Sequence, residues 1–373
     1  MQVRKATIDD HLTVMAICNR NGLNLCMSQD KWVKFWKFNP HILENPDFPI
    51  GWILHADNKH AVGVLINIPL VYELNGKRLL GVAGSSWAVD AQYRKASFLL
   101  IMKYFQQKDV DFFMNSTANE ASGSVFQAFK ARRVPCSSYD QVLLWIVDYL
   151  KFSRSALLKK RIPLVDILQY PAGFILWCIN HVLKYNYWAR VSTQVVHLKK
   201  FDQRFDIFWK KLRKKENRLL ATRDQAALNW HFRIARSEEE IKVLISLDRD
   251  EIVGYVILAN ADNKGINLKR FQIVDFQLLD ENSNVAKDLL CGALQYAKKS
   301  GASLVECVGF SGMKRDYLER LSLHRRKLVP YPFYFKPALE GESVLNNPSL
   351  WDPCSYDGDT SLFTRKTNLN ESS

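Results

Sequence analysis

Residues 79–105 restrict the fold of this chain more than any other stretch. An apolar strand over 79–89 ends in a polar turn, and the chain restarts at once with helical spacing. Phe98, Leu99, Met102 and Phe105 recur at three and four residues, which predicts an amphipathic helix with those residues inward. The first N–H groups of such a helix have no carbonyl partner and lie at the positive end of its dipole. The turn around residues 93–97 is therefore a natural seat for phosphate.

The flanks repeat around this unit. Residues 3–7 read as a strand, 8–10 cap a helix reaching about residue 21, and a second helix over 29–38 puts Trp32, Phe35 and Trp36 on one side. Residues 51–56 and 61–74 alternate and are rich in Val and Ile, and Asn75-Gly76 is a strong hairpin signal joining them to 79–89. A strand at 111–116, a helix at 119–131 and a final strand at 141–149 complete a βααβββαβαβ order. Strands at 241–247, 252–259 and 271–279, a helix at 284–299, a strand at 303–309 and a helix at 313–323 repeat it. Both halves end alike, in Arg132-Arg133-Val134-Pro135 and Arg325-Arg326-Lys327-Leu328-Val329-Pro330. The expected organisation is a first domain over 1–150, a basic and apolar linker over 151–200, a second domain over 201–335, and an extension over 336–373. Residues 348–363 of that extension, with Trp351, Tyr356 and Asp357-Gly358-Asp359-Thr360, read as ordered chain packed on the body, while 366–373 read as disordered.

Asp90 through Leu100 resembles the coenzyme-A loop of the GCN5-related N-acetyltransferase (GNAT) superfamily. Arg94 holds its first position, and Ser97 and Leu99 stand where the family prefers glycine and glycine or alanine. The resemblance implies an α/β (α+β) fold of two tandem GNAT-like domains, with mixed, mostly antiparallel sheets flanked by helices. It also implies acetyl-CoA or another acyl-CoA as co-substrate, its pyrophosphate held near Val89, Arg94, Lys95, Ala96, Ser97 and Phe98. The acyl group would pass to an amine or hydroxyl. Tyr93 flanks the loop, and Asn115, Ser116 and Thr117 close the strand beside which the pantetheine arm runs in the family. Glu120 is either a helix-capping residue or a base. The family's tyrosine acid is matched by Phe126 in the first copy and by Leu318, next to Tyr317, in the second.

In the second copy Asp280-Glu281-Asn282-Ser283 replaces the loop, and its carboxylates would repel a pyrophosphate. The donor is thus expected in the first copy, with the second shaping the acceptor site. The chain also resembles predicted acyltransferases of bacterial surface polysaccharide assembly, which implies an amino-sugar or glycan acceptor. A cell-wall peptide transferase using aminoacyl-tRNA, and a non-catalytic scaffold in a membrane-associated assembly, are the competing readings.

Charge separates the linker from the rest. The net charge of +14 divides into +3 over residues 1–150, +13 over 151–223 and −2 over 224–373, so the excess points to an anionic surface as partner: a membrane, or less readily nucleic acid. Within it, residues 170–183 are apolar but too short for a bilayer span of roughly 20 residues. They read as a helix starting at Pro171, either buried between the domains, the preferred reading, or lying on the inner membrane surface. Residues 202–220 read as a helix with Phe205, Phe208, Trp209 and Leu212 inward. Seven scattered cysteines form no C-x-x-C pair, and neither they nor the histidines have metal-ligand spacing, so no metal is expected. The N-terminus carries charges where an export signal needs an apolar run, which gives a cytoplasmic expectation, with possible peripheral attachment to the inner membrane.

Overall fold

The computed structural model describes residues 1–362 except 24, 26, 58–59, 183–193, 216, 235–239, 281, 323, 328–331 and 340–343. The first half begins with β1 (Gln2–Lys5), α1 (His11–Arg20), α2 (Gln29–Lys37) and a short α3 (Pro40–Glu44). Thr7 and Asp10 form a reciprocal capping box ahead of α1, Ser28 caps α2, and Asn39 caps α3 with Pro40 at its first position. There follow β2 (Gly51–His55), β3 (Ala61–Leu74), β4 (Lys77–Val89), α4 (Ser97–Phe105), β5 (Phe112–Asn115), α5 (Glu120–Ala128) and β6 (Arg132–Arg133). Next come β7 (Gln141–Ile146), α6 (Tyr149–Lys159), α7 (Val165–Val182), β8 (Gln194–Leu198), α8 (Arg204–Lys215), β9 (Leu220–Ala221) and α9 (Gln225–Asn229). The second half is completed by β10 (Ile241–Asp248), β11 (Glu251–Asn260), β12 (Arg270–Leu278), α10 (Ser283–Lys299), β13 (Leu304–Cys307), α11 (Gly312–Arg320), β14 (His324–Lys327) and β15 (Tyr334–Pro337).

Two sheets of matching order result. The first runs β1-β2-β3-β4-β5-β15-β6, with β9 also on β3, and the second runs β8-β10-β11-β12-β13-β7-β14. The sixth place of each sheet is taken by a strand from the other half. A cut at residue 150 assigns 141–149 to the first half, but β7 pairs there with β13 and β14 of the second sheet. Reciprocally, β15 lies antiparallel between β5 and β6 of the first. Gln141–Ile146 is an apolar run after its first residue and Tyr334–Pro337 is only four residues long, so tertiary pairing decides where they go.

The halves share one large core. Trp36, Phe35 and Tyr72 from the first and Phe205, Phe208, Tyr255 and Trp351 from the second are buried in it together. Burial of one such ring stabilises by about 1.5–3 kcal/mol. The Trp230 indole N–H donates to the Phe35 carbonyl at 2.7 Å, which fixes α2 against the segment after α9. The four inward residues expected of α8 are buried, and its outer Lys211 and Arg213 pair with Glu251 and Glu73. A second, smaller core lies on the opposite face of the first sheet, where α4 contributes Leu100, Ile101 and Tyr104. This corrects the phase expected of α4, since Phe98 and Met102 point to solvent. Tyr104 outcompetes them for the inside because its hydroxyl has backbone partners there.

The extension also differs from expectation. Residues 350–359 are buried, forming isolated bridges from Trp351 to Leu219 and from Cys354 to Gly309 of the second half, while Asp359 bonds Ser85 and Ser116 of the first. It is an internal strap more than a surface layer. Helix α7 begins at Val165, well before Pro171, and presents apolar residues to solvent, so it is not the buried interdomain helix preferred from sequence.

Candidate functional site

β4 and β5 run parallel but pair only over Gly81–Phe112, Val82–Phe113 and Ala83–Met114. Beyond Ala83, β4 continues to Val89 while β5 ends at Asn115, so the sheet opens into a notch. On its β3 side, β4 is bulged: Val64 faces Ala88 and Ile66 faces Ser85, which leaves Ser86 and Trp87 opposite Leu65 alone. Ser86 has φ of 50°, a left-handed conformation that costs a non-glycine residue about 1–2 kcal/mol and turns the strand at this point. Peptide groups in a strand alternate sides. Those of β4 past Ala83 that face away from β3 therefore have no partner strand.

The vertex of the notch is closed by Tyr104. Its hydroxyl donates toward the carbonyls of Val82 at 2.7 Å and Met114 at 2.9 Å, and burial pushes its acidity far down, so it is a fixed peg and not a proton source. Gly84 sits against this ring, with room for a Cβ only 3.3 Å from the Tyr104 ring. Phe126, at the position matched to the family's tyrosine acid, packs on Tyr104 and Tyr334 in the smaller core.

Across the mouth of the notch lies Asp359. Its carboxylate accepts from Ser85 Oγ of β4 at 2.7 Å, from Ser116 Oγ at 3.0 Å, and from Thr117 Oγ1 at 3.0 and 3.1 Å. Its own amide donates to Ser116 Oγ at 3.1 Å. Gly358, with φ of 79°, allows this approach, since a Cβ there would stand 2.4 Å from Ser116 Oγ. The sequence gives little notice of this residue: Asp357-Gly-Asp-Thr reads locally as a turn.

The expected site residues surround the notch unevenly. Val89 ends β4 and is buried. Residues 91–96 form a 3₁₀ helix, Ala91–Ala96, continuous with α4; the Tyr93 amide donates to Asp90 O and the Ser97 amide to Arg94 O. The turn is thus wound tight where a glycine-rich loop would be open, because Ser97 and Leu99 cannot supply glycine's freedom. Amides from Tyr93 to Ser97 serve the helix, which Ala91 and Gln92 begin. Asp90 is held below the usual carboxylate range by Arg20, which donates to it at 2.7 and 2.8 Å. Arg94, Lys95 and Phe98 are exposed, Ala96 is buried, and Tyr93 is half-buried with its ring edge-on to His60.

On the β5 side Asn115 is buried, and its side-chain oxygen accepts from the Thr117 amide at 2.9 Å. Glu120 is exposed in the first turn of α5, whose N-cap is Asn119. Ser85, Ser116 and Thr117 therefore meet at Asp359, whereas Val89 pairs with Gly63 at the end of β4 and Glu120 and Phe98 are exposed. Strand amides without a partner strand line one side, the buried Trp87 Nε1 has no hydrogen-bond partner, and Arg94 and Lys95 offer exposed cations at the rim.

On the face of the first sheet toward the second half, a cavity of about 340 Å³ opens among α3, β3, the segment 221–230 and Tyr356. Its walls include His41, Glu44, Thr222, Asp224 and Trp230. Burial raises the Asp224 carboxyl, and burial together with Arg78 lowers His41. The Tyr356 hydroxyl donates to Thr222 O at 2.7 Å. Asp359 follows Tyr356 by three residues, so the strap connects cavity wall and notch within about 10 Å of chain.

The chain matches no protein-family model and none of the curated proteins compared with it. Solved structures do match. A GCN5-related N-acetyltransferase from Anabaena variabilis aligns over 91% of this chain and 73% of its own, at 12% identity and a TM-score of 0.56. A probable N-acyltransferase from Enterococcus faecalis aligns over 90% and 72%, at 11% identity and 0.56. Saccharomyces cerevisiae N-myristoyltransferase, solved with myristoyl-CoA and inhibitors, aligns over 97% and 86%, at 14% identity and 0.54. At such low identity these likenesses establish architecture: two helix-flanked mixed sheets in the arrangement of GNAT-like N-acyltransferases.

Proposed function

We propose that this protein moves an acyl group from acyl-CoA to an amine or hydroxyl, with the donor in the notch between β4 and β5. The observation that carries this is Asp359, a buried carboxylate suspended by hydroxyls across an opening lined with strand amides that have no partner strand. When bound, the donor supplies an activated thioester carbonyl. Ala91 and Gln92 at the 3₁₀ helix N-terminus, with Arg94 and Lys95, hold its phosphates. The β4 amides beyond Gly84 polarise the carbonyl oxygen, and Asp359 accepts the proton of the attacking N–H or O–H. The new bond forms to the acyl carbon as the carbon–sulfur bond breaks and the thiolate departs.

The cavity beside Tyr356 is the acceptor's approach, on the same side of the first sheet as Asp359. An amino-sugar or envelope-glycan acceptor rests on the sequence resemblance alone. Calorimetric titration of acetyl-CoA and a long-chain acyl-CoA tests the reading. Wild type is expected to bind at least one donor and Arg94→Ala to bind it several-fold more weakly. Absence of binding to wild type leaves a non-catalytic scaffold.

A further inference from the structure

α7 is built inside out. Among its residues Gln169, Gly173 and Asn180 are buried, whereas Tyr170, Phe174, Ile175, Trp177, Ile179 and Val182 face solvent. The inward face is tied down by polar contacts. Asn180 donates to the Tyr149 hydroxyl at 2.9 Å and meets His324 Nε2 at 3.0 Å, and Gly173 brings the helix against the Leu150 backbone. A helix in water shows the reverse arrangement, polar outside and apolar inside. Phe174 is 62% exposed, Ile175 58% and Trp177 45%, forming one continuous apolar surface where an isolated side chain would need no account.

We propose that this surface lies in the headgroup region of an anionic lipid membrane, with the α6–α7 hairpin as the docking element. Three observations select lipid as the occupant. The helix is 18 residues, about 27 Å along a surface, yet no helix among the described residues is long and apolar enough to cross a bilayer. The adjoining chain is cationic: Lys151, Arg154, Lys159, Lys160 and Arg161 stand against Asp166 alone over residues 151–182. Lys159, Lys160 and Arg161 are exposed at the turn that leads into α7, where a negatively charged leaflet attracts them. Finally, Tyr170 and Trp177 are amphipathic rings of the kind that settle at a membrane–water boundary. The inference needs nothing from the acyl-transfer reading, since neither helix contributes to the notch.

The test uses the full chain with vesicles of phosphatidylcholine alone or mixed with phosphatidylglycerol. Cosedimentation is expected with the mixed vesicles, weakened by salt. It should disappear in Phe174→Ser/Ile175→Ser, whose thermal melting stays that of wild type because both positions are exposed. Lys159→Gln/Lys160→Gln should weaken binding by about fivefold per charge removed. Lipid should also shift an emission component to the blue in wild type that Trp177→Phe lacks. Absence of binding to mixed vesicles, or undiminished binding by the serine variant, overturns the proposal. So does concentration-dependent dimerisation without lipid that the serine variant abolishes, which assigns the face to a second copy.

Discussion

Each sheet opens at the same point, and the two openings are filled differently. In the second sheet β12 and β13 pair in parallel as far as Ile273–Cys307, after which β12 runs on to Leu278. A register shift sets Ile257 against Asp275 and Leu258 against Ile273, the counterpart of the shift at Ser86 and Trp87. The same strap passes both openings. At the second, Asp275 is met by the guanidinium of the fully buried Arg223 at 3.0 Å, by the Tyr255 hydroxyl at 2.7 Å and by Gln277 at 3.1 Å. Nearby, Lys314 bonds Asp352, and with Arg218 it outweighs the burial that would raise that carboxyl. At the first, the hydroxyls of Ser85, Ser116 and Thr117 meet Asp359. A buried ion pair is costly to open once one partner moves, whereas hydroxyl donors can be exchanged for those of a ligand. The comparison teaches that one backbone device is closed by a buried ion pair in one sheet and by hydroxyl hydrogen bonds in the other. The second half's α10 fits this division: Asn282 caps it, and Asp280 is paired with Lys215 where a phosphate loop would stand.

Breaking the lock should have the largest effect. Arg223→Ala leaves Asp275 without its counter-ion in the interior, and a loss of about 3–5 kcal/mol in urea unfolding is expected. Next come the strap's two glycine contacts. Gly309→Ala places a Cβ 2.1 Å from the Pro353 carbonyl at φ of 80°, a backbone clash expected to destabilise by ~3 kcal/mol. Gly358→Ala meets the side chain of Ser116, at Oγ 2.4 Å and Cβ 2.9 Å, and no main-chain carbonyl, and should lower stability by about 1–2 kcal/mol. Equal losses would erase the distinction between a fixed and an adjustable opening.

Asp357 sharpens the same comparison through pH. Burial pushes its carboxyl up to about 6, even with Arg223 3.7 Å away. A folded pKa above the unfolded one favours the folded state below pH 4, and that advantage is lost as pH rises through 6. Asp357→Asn, neutral throughout, should therefore gain about 2 kcal/mol on wild type between pH 4 and pH 7 in paired unfolding curves. The smallest stability change belongs to Asp359→Asn, about 1 kcal/mol, because its hydroxyl partners can reorient. Its acyl transfer should nonetheless fall by roughly 10²-fold or more with donor binding retained. A fall in both together would make Asp359 a structural tie.

Much of the layer order was legible because periodicity and turn chemistry are local. Asn75-Gly76 gave the β3–β4 hairpin, and the inward face of α8 followed from spacing. The exchange of β7 and β15 was not legible, since a strand's alternation records which face is buried and not which sheet receives it. Tyr334-Phe335-Lys336-Pro337 is short and ends in proline, so it did not read as a strand at all. Around the proposed site, the sequence reading named Val89 and the strand-to-helix turn but not Asp359 or Tyr104. Asp359 lies 242 to 274 residues from its partners in sequence, and Tyr104 lost the helix phase to Phe98 and Met102, which are more apolar yet have no partner inside.

Hydrogen exchange on adding acyl-CoA tests the division between the two openings most directly. New protection over residues 84–97 and 115–117, with none over 274–283, is the predicted result. Protection at the second opening, or at neither, would contradict it.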